Sequence, residues 1–385
     1  MKKYFKVLFL VLFLALSFVF VGCGGNDTEL SDKERNNFIE EIGGASETFI
    51  GEISDMAFTS KDAAVNGFLS LEITGHSPAK VHEVNTKAVL DEEAINKLDI
   101  PAEDKEGIVE VEEVEVTYEE TSFRYSSKDG DNEVKKVTVI IIKYETDWKY
   151  FVPAPITGES ISKSYYNSVF DSEKFKNCTY VYEMELDMDM KASYQGESQS
   201  ASMKMSATQE VKYAEGKIFL NTTMSYAMEG VGGFNEEETV CAYIEEVDGI
   251  LYCYIKKNGE WQATNLINTG FHNLDELAPF ANDYLDYTYF TKTDFGFKLD
   301  EENAQNYIDQ VFAEAGIGDM LGGGNLDMSM YAEYYVNQGA LSGLLLKAKM
   351  NMNASESGVS VKMNGNITAK ATCKDYGTTT VEKPF

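Results

Sequence analysis

The sequence reads YVYEMELDMDMKASY over residues 180–194, and this stretch decides the fold of the larger part of the chain. Every second residue from Tyr182 to Met190 is apolar, and the residues between them are Glu or Asp. Because successive side chains of a β-strand point to opposite faces, the pattern predicts a strand with one apolar and one acidic face. A sheet of such strands buries its apolar face against a core or a ligand.

More strands are predicted on the C-terminal side of this stretch. Residues 201–228 contain further strands with an AEG turn at 214–216, and turns are predicted at Val247-Asp248-Gly249 and Asn258-Gly259. A faint internal repeat aligns residues 187–207 with residues 349–365, each a strand, a Ser/Gly-rich turn and a return strand ending in Ser-x-Lys-Met. We interpret the two copies as similar hairpins of one sheet.

Two helices are predicted between the strand segments. Residues 299–324 have apolar residues at helical spacing, with Asp300 as a possible cap and Gly322–Gly324 as terminator. A shorter helix is predicted in 273–288. Residues 166–385 are therefore expected to form one large antiparallel sheet with inserted helices.

The N-terminal part shows a different order of elements, with helices first and strands after Gly107. Helical patterns occur in 36–58, broken at Gly43–Gly44, in 59–75 with Ser60 as N-cap, and in 90–98. Three strands are expected in 109–125, 135–145 and 147–153, with a bulge near Glu112–Glu113 and a hairpin loop at 126–133. Pro153 and Pro155 end the last strand, so we place a linker at 154–165.

The fold class expected overall is α+β. The N-terminal order, with a helix like SKDAAVNGFLSL and a final strand like DWKYFV, resembles the nuclear-transport-factor-2-like cone, in which helices lie on a curved antiparallel sheet. Enzymes of that family use an Asp or His base inside the cone. His76 and His82 are placed in a polar loop here, so an enzymatic cone, a hydrolase or an isomerase, is the third hypothesis.

The C-terminal part resembles the LolA/LppX-like half-barrel, specifically the Met-rich lipoproteins of unknown function of Gram-positive bacteria. The matching segments are MELDMDMK, SMKM, VKMNGN and the GEW that follows a hairpin. The resemblance implies a cavity for acyl chains or lipidated partners between the sheet and the helices, and Met side chains suit a wall that adapts to varied alkyl chains. Two alternatives remain. Met203 and Met205 could lie on the opposite face of the sheet, or the apolar side chains could simply pack on the inserted helices. The candidate cavity residues are Met184, Leu186, Met188, Met190, Met203, Met205, Leu346, Met350 and Met352.

The first residues have the layout of a secretory leader. Lysines precede an apolar run that is shorter than a membrane span, and the run ends at Val21-Gly22-Cys23. This end resembles the lipobox of bacterial lipoproteins, which implies diacylglyceryl transfer to Cys23 and cleavage before it. A plain secretory signal is the alternative. We expect a leader at 1–22, a lipidated tether at 23–33, and a protein anchored through Cys23 at the outer face of the cell membrane.

The composition excludes one class of partner. The formal net charge is −31, and such a chain is repelled by nucleic acid. The remaining cysteines are disulfide candidates in a secreted protein, with Cys241–Cys253 and Cys178–Cys373 favoured and free thiols as the alternative. A three-residue turn at 247–249 would put Cys241 and Cys253 on one face, whereas a two-residue turn would put them on opposite faces.

No metal site and no cofactor is predicted. The histidines are scattered, DGDNE lacks the spacing of a calcium loop, and Met-x-Met pairs suit Cu(I) but on alternating strand positions favour core packing. No phosphate loop or nucleophile elbow is present in the sequence.

The expected domains are a cone-like domain at 34–153 and a half-barrel at 166–385. The expected function is non-enzymatic binding of a hydrophobic or lipid-like ligand or a lipidated partner, with a cell-surface structural module as the alternative.

Overall fold

The structure is a computed structural model. It describes residues 30–46, 51–73, 79–91, 93, 95, 103–120, 134–194, 197–230, 233–247, 250–257, 259–265, 287–300, 325–356 and 359–385. The chain divides into two compact units, Thr48–Ser168 and the remainder. The helices with described bounds are α1 (Asp32–Glu41), α2 (Lys61–Phe68), α3 (Lys163–Val169) and α4 (Ser172–Phe175).

The smaller unit contains a five-stranded antiparallel sheet in the order β1-β5-β4-β3-β2. Helix α2 begins at the N-cap Ser60, as predicted, and continues as a π-helical turn, Leu69–Ile73. Its apolar side chains Val65, Phe68 and Leu69 pack in one core with Val114 of the sheet. The strands are β1 (Glu52–Ile53), β2 (Ala79–Leu90), β3 (Ile108–Glu120), β4 (Val134–Tyr144) and β5 (Trp148–Val152).

The larger unit contains eleven described strands in one antiparallel sheet, in the order β11-β10-β9-β8-β7-β6-β16-β15-β14-β13-β12. The hairpins β6–β7 and β15–β16 lie side by side because β16 pairs with β6, which confirms the interpretation of the internal repeat. The strands are β6 (Cys178–Tyr194), β7 (Glu197–Ala214), β8 (Lys217–Gly230), β9 (Phe234–Val247), β10 (Ile250–Lys257), β11 (Glu260–Asn265), β12 (Phe290–Thr293), β13 (Gly296–Leu299), β14 (Asn325–Asn337), β15 (Ala340–Glu356) and β16 (Val359–Lys374).

The predicted alternation on β6 is confirmed. Met184, Leu186 and Met188 are buried, whereas the acidic residues between them are exposed. The predicted turn at 214–216 is also present, because Glu215 and Gly216 both have positive φ and join Ala214 to Lys217. Two central residues with positive φ make the hairpin turn whose twist matches that of the strands.

Several expected boundaries differ from the structure. Residues 36–58 do not form two helical halves, because α1 ends at Glu41 before Gly43–Gly44 and Glu52–Ile53 form the short strand β1. His82 lies on β2 and not in a loop, with its Nε2 2.9 Å from Glu119 Oε2. The irregularity near Glu112–Glu113 is a register shift on the partner strand, between Thr86 and Ala88. Strands β12 and β13 were not expected. The predicted helices at 273–288 and 299–324 and the loop at 126–133 lie mostly or wholly outside the described residues, as does most of 90–98.

The domain boundaries also shift. Helix α1 belongs to the larger unit, although the sequence placed residues from 34 onwards in the N-terminal domain. The expected linker 154–165 belongs to the smaller unit, where Ser164 donates its N–H and its hydroxyl to the two carboxylate oxygens of Glu72, at 3.1 and 2.9 Å. These hydrogen bonds tie the segment to its own unit.

Helix α1 is fixed to the outward face of the large sheet by a buried ion pair. Arg35 Nε donates to Glu333 Oε2 at 2.9 Å, and the hydroxyls of Tyr331 and Tyr335 donate to the same oxygen at 3.0 Å. The Phe38 ring stands edge-on to Tyr335, with ring centroids 5.3 Å apart. A Cβ on Gly343 would lie 2.8 Å from that Phe38 ring, so glycine is needed for the close approach.

We predict that Glu333→Ala lowers the free energy of unfolding by about 2–4 kcal/mol, because it leaves a largely buried guanidinium without its acceptor. The matched control is Asp32→Ala, since Asp32 also bonds Arg35 but its side chain is 95% exposed. Its cost should stay within about 0.5–1 kcal/mol. Urea unfolding of the three proteins measures both values, and equal losses would contradict the buried contact.

A second buried carboxylate lies in the smaller unit. Glu112 of β3 accepts hydrogen bonds from Lys61, in the first turn of α2, and from the Thr86 hydroxyl of β2 at 2.6 Å. Burial alone would raise the pKa of Glu112, but the bonds from Lys61 and Thr86 and the charge of Lys61 outweigh it, so the pKa lies below its ordinary value. Glu112, Lys61 and Thr86, which we call the Glu112 triad, thus join α2 to strands β2 and β3.

The depressed pKa of Glu112 predicts acid sensitivity with a defined sign. The stability it contributes is present above the pKa of an unfolded glutamate, about 4.3, and is lost as the pH falls through the lower folded value. We therefore expect Glu112→Gln to reduce the slope of unfolding free energy against pH between about pH 5 and pH 3. Glu113→Gln on the same strand is the control for removing one charge. An unchanged slope in the Glu112 variant would contradict the assignment.

Candidate functional site

The apolar face of the large sheet is rich in methionine. The strand registers place side chains in rows that cross β14, β15, β16, β6, β7 and β8. Directly opposed residues of neighbouring strands have Cβ atoms about 4.5–5.5 Å apart, so a row is a continuous line of contacts. We call the rows from Met184 to Met190 the methionine face. Twelve of the fifteen methionines occupy positions in these rows: Met184, Met188, Met190, Met203, Met205, Met224, Met228, Met328, Met330, Met350, Met352 and Met363.

The central row holds the densest group. Met188 lies directly opposite Met203, and Met203 lies directly opposite Met228. On the other side of Met188 stands Gly365, and beyond it Met350. The register therefore resolves the open question about Met203 and Met205, which share their face with Met188 and Leu186.

Burial decreases along the methionine face. On β6 the exposed fraction is 3% at Met184 and at Leu186 and 9% at Met188, and Met190 is half-buried. On β15 the same change runs from buried Leu346 to half-buried Met350. The face thus has a closed end near Met184 and a more accessible end near Met190.

The structure brings the candidate cavity residues together. Met203 and Met205 are buried with the residues of β6 just described, and the side chain of Met352 lies outside the described set. Sequence reasoning missed three half-buried methionines, Met224 and Met228 on β8 and Met363 on β16. The strand parity of 218–228 and 359–373 would have found them once the turns were placed. Cys23 lies outside the described residues.

The four cysteines within the described residues, Cys178, Cys241, Cys253 and Cys373, are free thiols. The turn after Val247 joins directly opposed Val247 and Ile250, so its loop has two residues and Cys253 is opposite Ile244. Cys241 and Cys253 therefore lie on opposite faces of the sheet, which is incompatible with the favoured pairing. Cys178 and Cys373 are both buried on one face, where Cys373 is opposite Tyr180, two residues from Cys178. Burial raises the pKa of the Cys178 thiol to about 12.

A separate depression of about 470 Å³ lies on the outward face of the same sheet. Lys191 and Lys362, both exposed, stand directly opposite each other across the β6–β16 pair, and Asp189 is opposite Asn364. Paired ammonium groups attract an anion, but Asp189 and Glu229 on the same wall oppose it. The lining residues are Asp189, Met190, Lys191, Ser200, Ala201, Ser202, Glu229, Gly230, Lys362 and Asn364.

The smaller unit holds two internally bonded polar groups. One is the Glu112 triad, and the other is Glu72, which accepts from the Tyr150 hydroxyl at 3.3 Å as well as from Ser164. Burial raises the pKa of Tyr150, so its hydroxyl keeps its proton. In both groups the carboxylate is bonded to side chains of its own unit.

Among the residues that the structure describes, no group of three or more His, Cys, Asp or Glu side chains is arranged to hold a metal ion. No helix in the same part of the chain has both the length and the apolarity required to cross a bilayer.

Comparison with known proteins gives little more. No family model matches the chain, and no curated protein matches it. A DUF1329 family protein from Desulfovibrio piger is a distant structural neighbour, with a TM-score of 0.15 and 8% identity, covering 53% of this chain and 90% of that one. The OccK11 (OpdR) protein of Pseudomonas aeruginosa has a TM-score of 0.12 and 6% identity, covering 69% of this chain and 91% of that one. Similarities this slight assign neither a fold family nor a function.

The thiols give a direct test of the register. In the folded protein we expect half-buried Cys241 to react first with a thiol reagent at pH 8, and Cys178, Cys253 and Cys373 to react slowly, because they are buried and burial raises their pKa values. Time-resolved alkylation and mass spectrometry of residues 24–385 measure the order. All four thiols should react after unfolding without reductant, and a mass two hydrogens lower would indicate a disulfide.

Proposed function

We propose that this protein is a membrane-anchored extracytoplasmic lipoprotein that binds a hydrophobic or lipid-like ligand, or a lipidated partner, without catalysing a reaction. The observation that carries the proposal is the methionine face. The strands place apolar and acidic side chains on opposite sides of the sheet, and the burial of the methionine face decreases towards one end. A ligand entering at the half-buried end would replace water on that apolar surface, which is favourable in proportion to the area covered.

Methionine suits this role for a physical reason. Its side chain is unbranched, flexible and polarizable, so a wall of methionines adapts to chains of different shape at little cost. The closed end instead carries Leu186 and Leu346 with small residues such as Ala207 and Ala369. The leucine and alanine side chains form a rigid closed end, and the methionines form an adaptable accessible end. This combination supports binding of ligands that share an alkyl part and differ elsewhere.

The anchor is proposed at Cys23. Eight residues separate Cys23 from Asp32, where α1 begins, and such a segment spans at most about 30 Å when extended. Since the Arg35–Glu333 ion pair fixes α1 to the large sheet, lipidation of Cys23 would hold that sheet within this distance of the membrane surface. The net charge of −31 would keep the body from adhering to anionic headgroups.

Native mass spectrometry of residues 24–385, with extraction of bound lipid, tests the binding. We expect a co-purifying alkyl-chain ligand, and expect Met190→Glu to weaken its retention about tenfold or more, because a carboxylate would face the alkyl chain. Ser200→Glu is the matched control, since Ser200 is exposed beside the outward depression and the substitution adds the same charge.

Two results would contradict the proposed function. One is a ligand-free mass in a protein whose methionine face is filled by its own side chains at both ends. That outcome would indicate a structural module. The other is equal ligand retention in the Met190 and Ser200 variants.

A further inference from the structure

The central row of the methionine face holds three methionines in a line. Met188, Met203 and Met228 are directly opposed on three consecutive strands, β6, β7 and β8. Strands are about 4.8 Å apart, so three thioether side chains leave the sheet within about 10 Å of each other. Because methionine is unbranched and flexible, the outer two side chains can lean towards Met203 in the middle.

Met350, on the other side of Met188, is too far away to join these three. It lies beyond Gly365 in the row, four strand spacings or about 19 Å from Met228. Gly365 leaves space beside Met188, since a Cβ at that position would stand 3.9 Å from Met188 Cγ.

The ligand type determines the metal. Thioether sulfur is a soft donor that selects Cu(I), whereas Mg²⁺ and Ca²⁺ take oxygen donors and Zn²⁺ takes thiolate or imidazole. The carboxylates of β6 point to the opposite face, so they do not compete near the row. Half-buried Met228 leaves an entry, and the net charge of −31 raises the local concentration of cations.

We propose that Met188, Met203 and Met228 form a binding site for a monovalent soft metal ion, Cu(I), with Ag(I) as its redox-inert equivalent. Met190 and Met205 each lie two residues along a strand, one row away, and supply alternative donors at either side. Binding changes no oxidation state and needs no proton release, because thioethers are neutral at every pH. The site shares the methionine face with the lipid ligand of the proposed function, but it binds through sulfur donors and not through apolar area, so leucine substitutions can separate the two.

The test is titration of residues 24–385 with Ag(I), and with Cu(I) under anaerobic conditions against a chromogenic Cu(I) chelator. Native mass spectrometry gives the stoichiometry, which we expect to be one ion at the row. The double variant Met188→Leu/Met203→Leu should bind at least about 100-fold more weakly, because two donors are replaced by apolar groups of similar volume. Met184→Leu is the matched control, since the residues opposite Met184 are Ala207 and Ala369, and it should leave affinity unchanged.

Thiols are the competing donors, so a variant with all four cysteines changed to serine completes the experiment. Retained Ag(I) and Cu(I) binding in that variant supports the thioether site. Loss of binding there, or unchanged binding in the Met188/Met203 variant, overturns it, as does the absence of one-to-one binding in the unmodified protein. The leucine variants keep the apolar surface, so retained lipid with lost metal separates this proposal from the proposed function, and the reverse result contradicts only the lipid site.

Discussion

The structure of the larger unit depends on the pairing of β6 with β16. These strands come from opposite ends of the unit's sequence, and their register runs without interruption from Thr179–Lys374 to Tyr194–Val359. The pairing joins two local hairpins into one sheet and aligns rows that no hairpin could form alone. A slip of one residue would send every methionine of one half to the acidic face and bring the carboxylates inside, so the hydrophobic pattern on both sides holds the register.

Helix α1 has the same kind of dependence on a distant partner. Strand β14 is buried on both faces from Tyr331 to Val336, because Tyr334 stacks on Phe297 on the inward side and α1 covers Tyr331 and Tyr335 on the outward side. Glu333 sits in this run as a buried carboxylate, and the guanidinium of Arg35 with two tyrosine hydroxyls satisfies it. Without α1, Glu333 would face water, and the outward side of β14 would be an apolar patch.

Much of the fold could be predicted from local pattern, and the rest required long-range contacts. Period-two alternation predicted β6, turn chemistry predicted Glu215-Gly216, and the Ser60 cap predicted α2, since each signal acts within a few residues. The position of α1 could not be predicted because its partners lie about 300 residues away. Strand β2, with its bulges, lacks strict alternation, which explains why His82 was placed in a loop. The run YAEYYV carried a usable signal, since an apolar segment without alternation indicates burial on both faces.

The distribution of methionine on the inward face is the remaining problem, and packing alone does not account for it. Leucine, isoleucine or valine fill a core at similar volume with better-defined rotamers, and the closed rows use such residues, as with Leu344 opposite Ala371. Methionine occupies nearly closed positions, at Met184, Met203 and Met205, and it continues where burial becomes partial, at Met190, Met228 and Met350. A flexible side chain costs conformational order unless an adaptable surface or a sulfur donor is needed. The continuation of methionine to the accessible end, where leucine or valine would fill the same volume, is therefore the physical argument for the binding role proposed for this face.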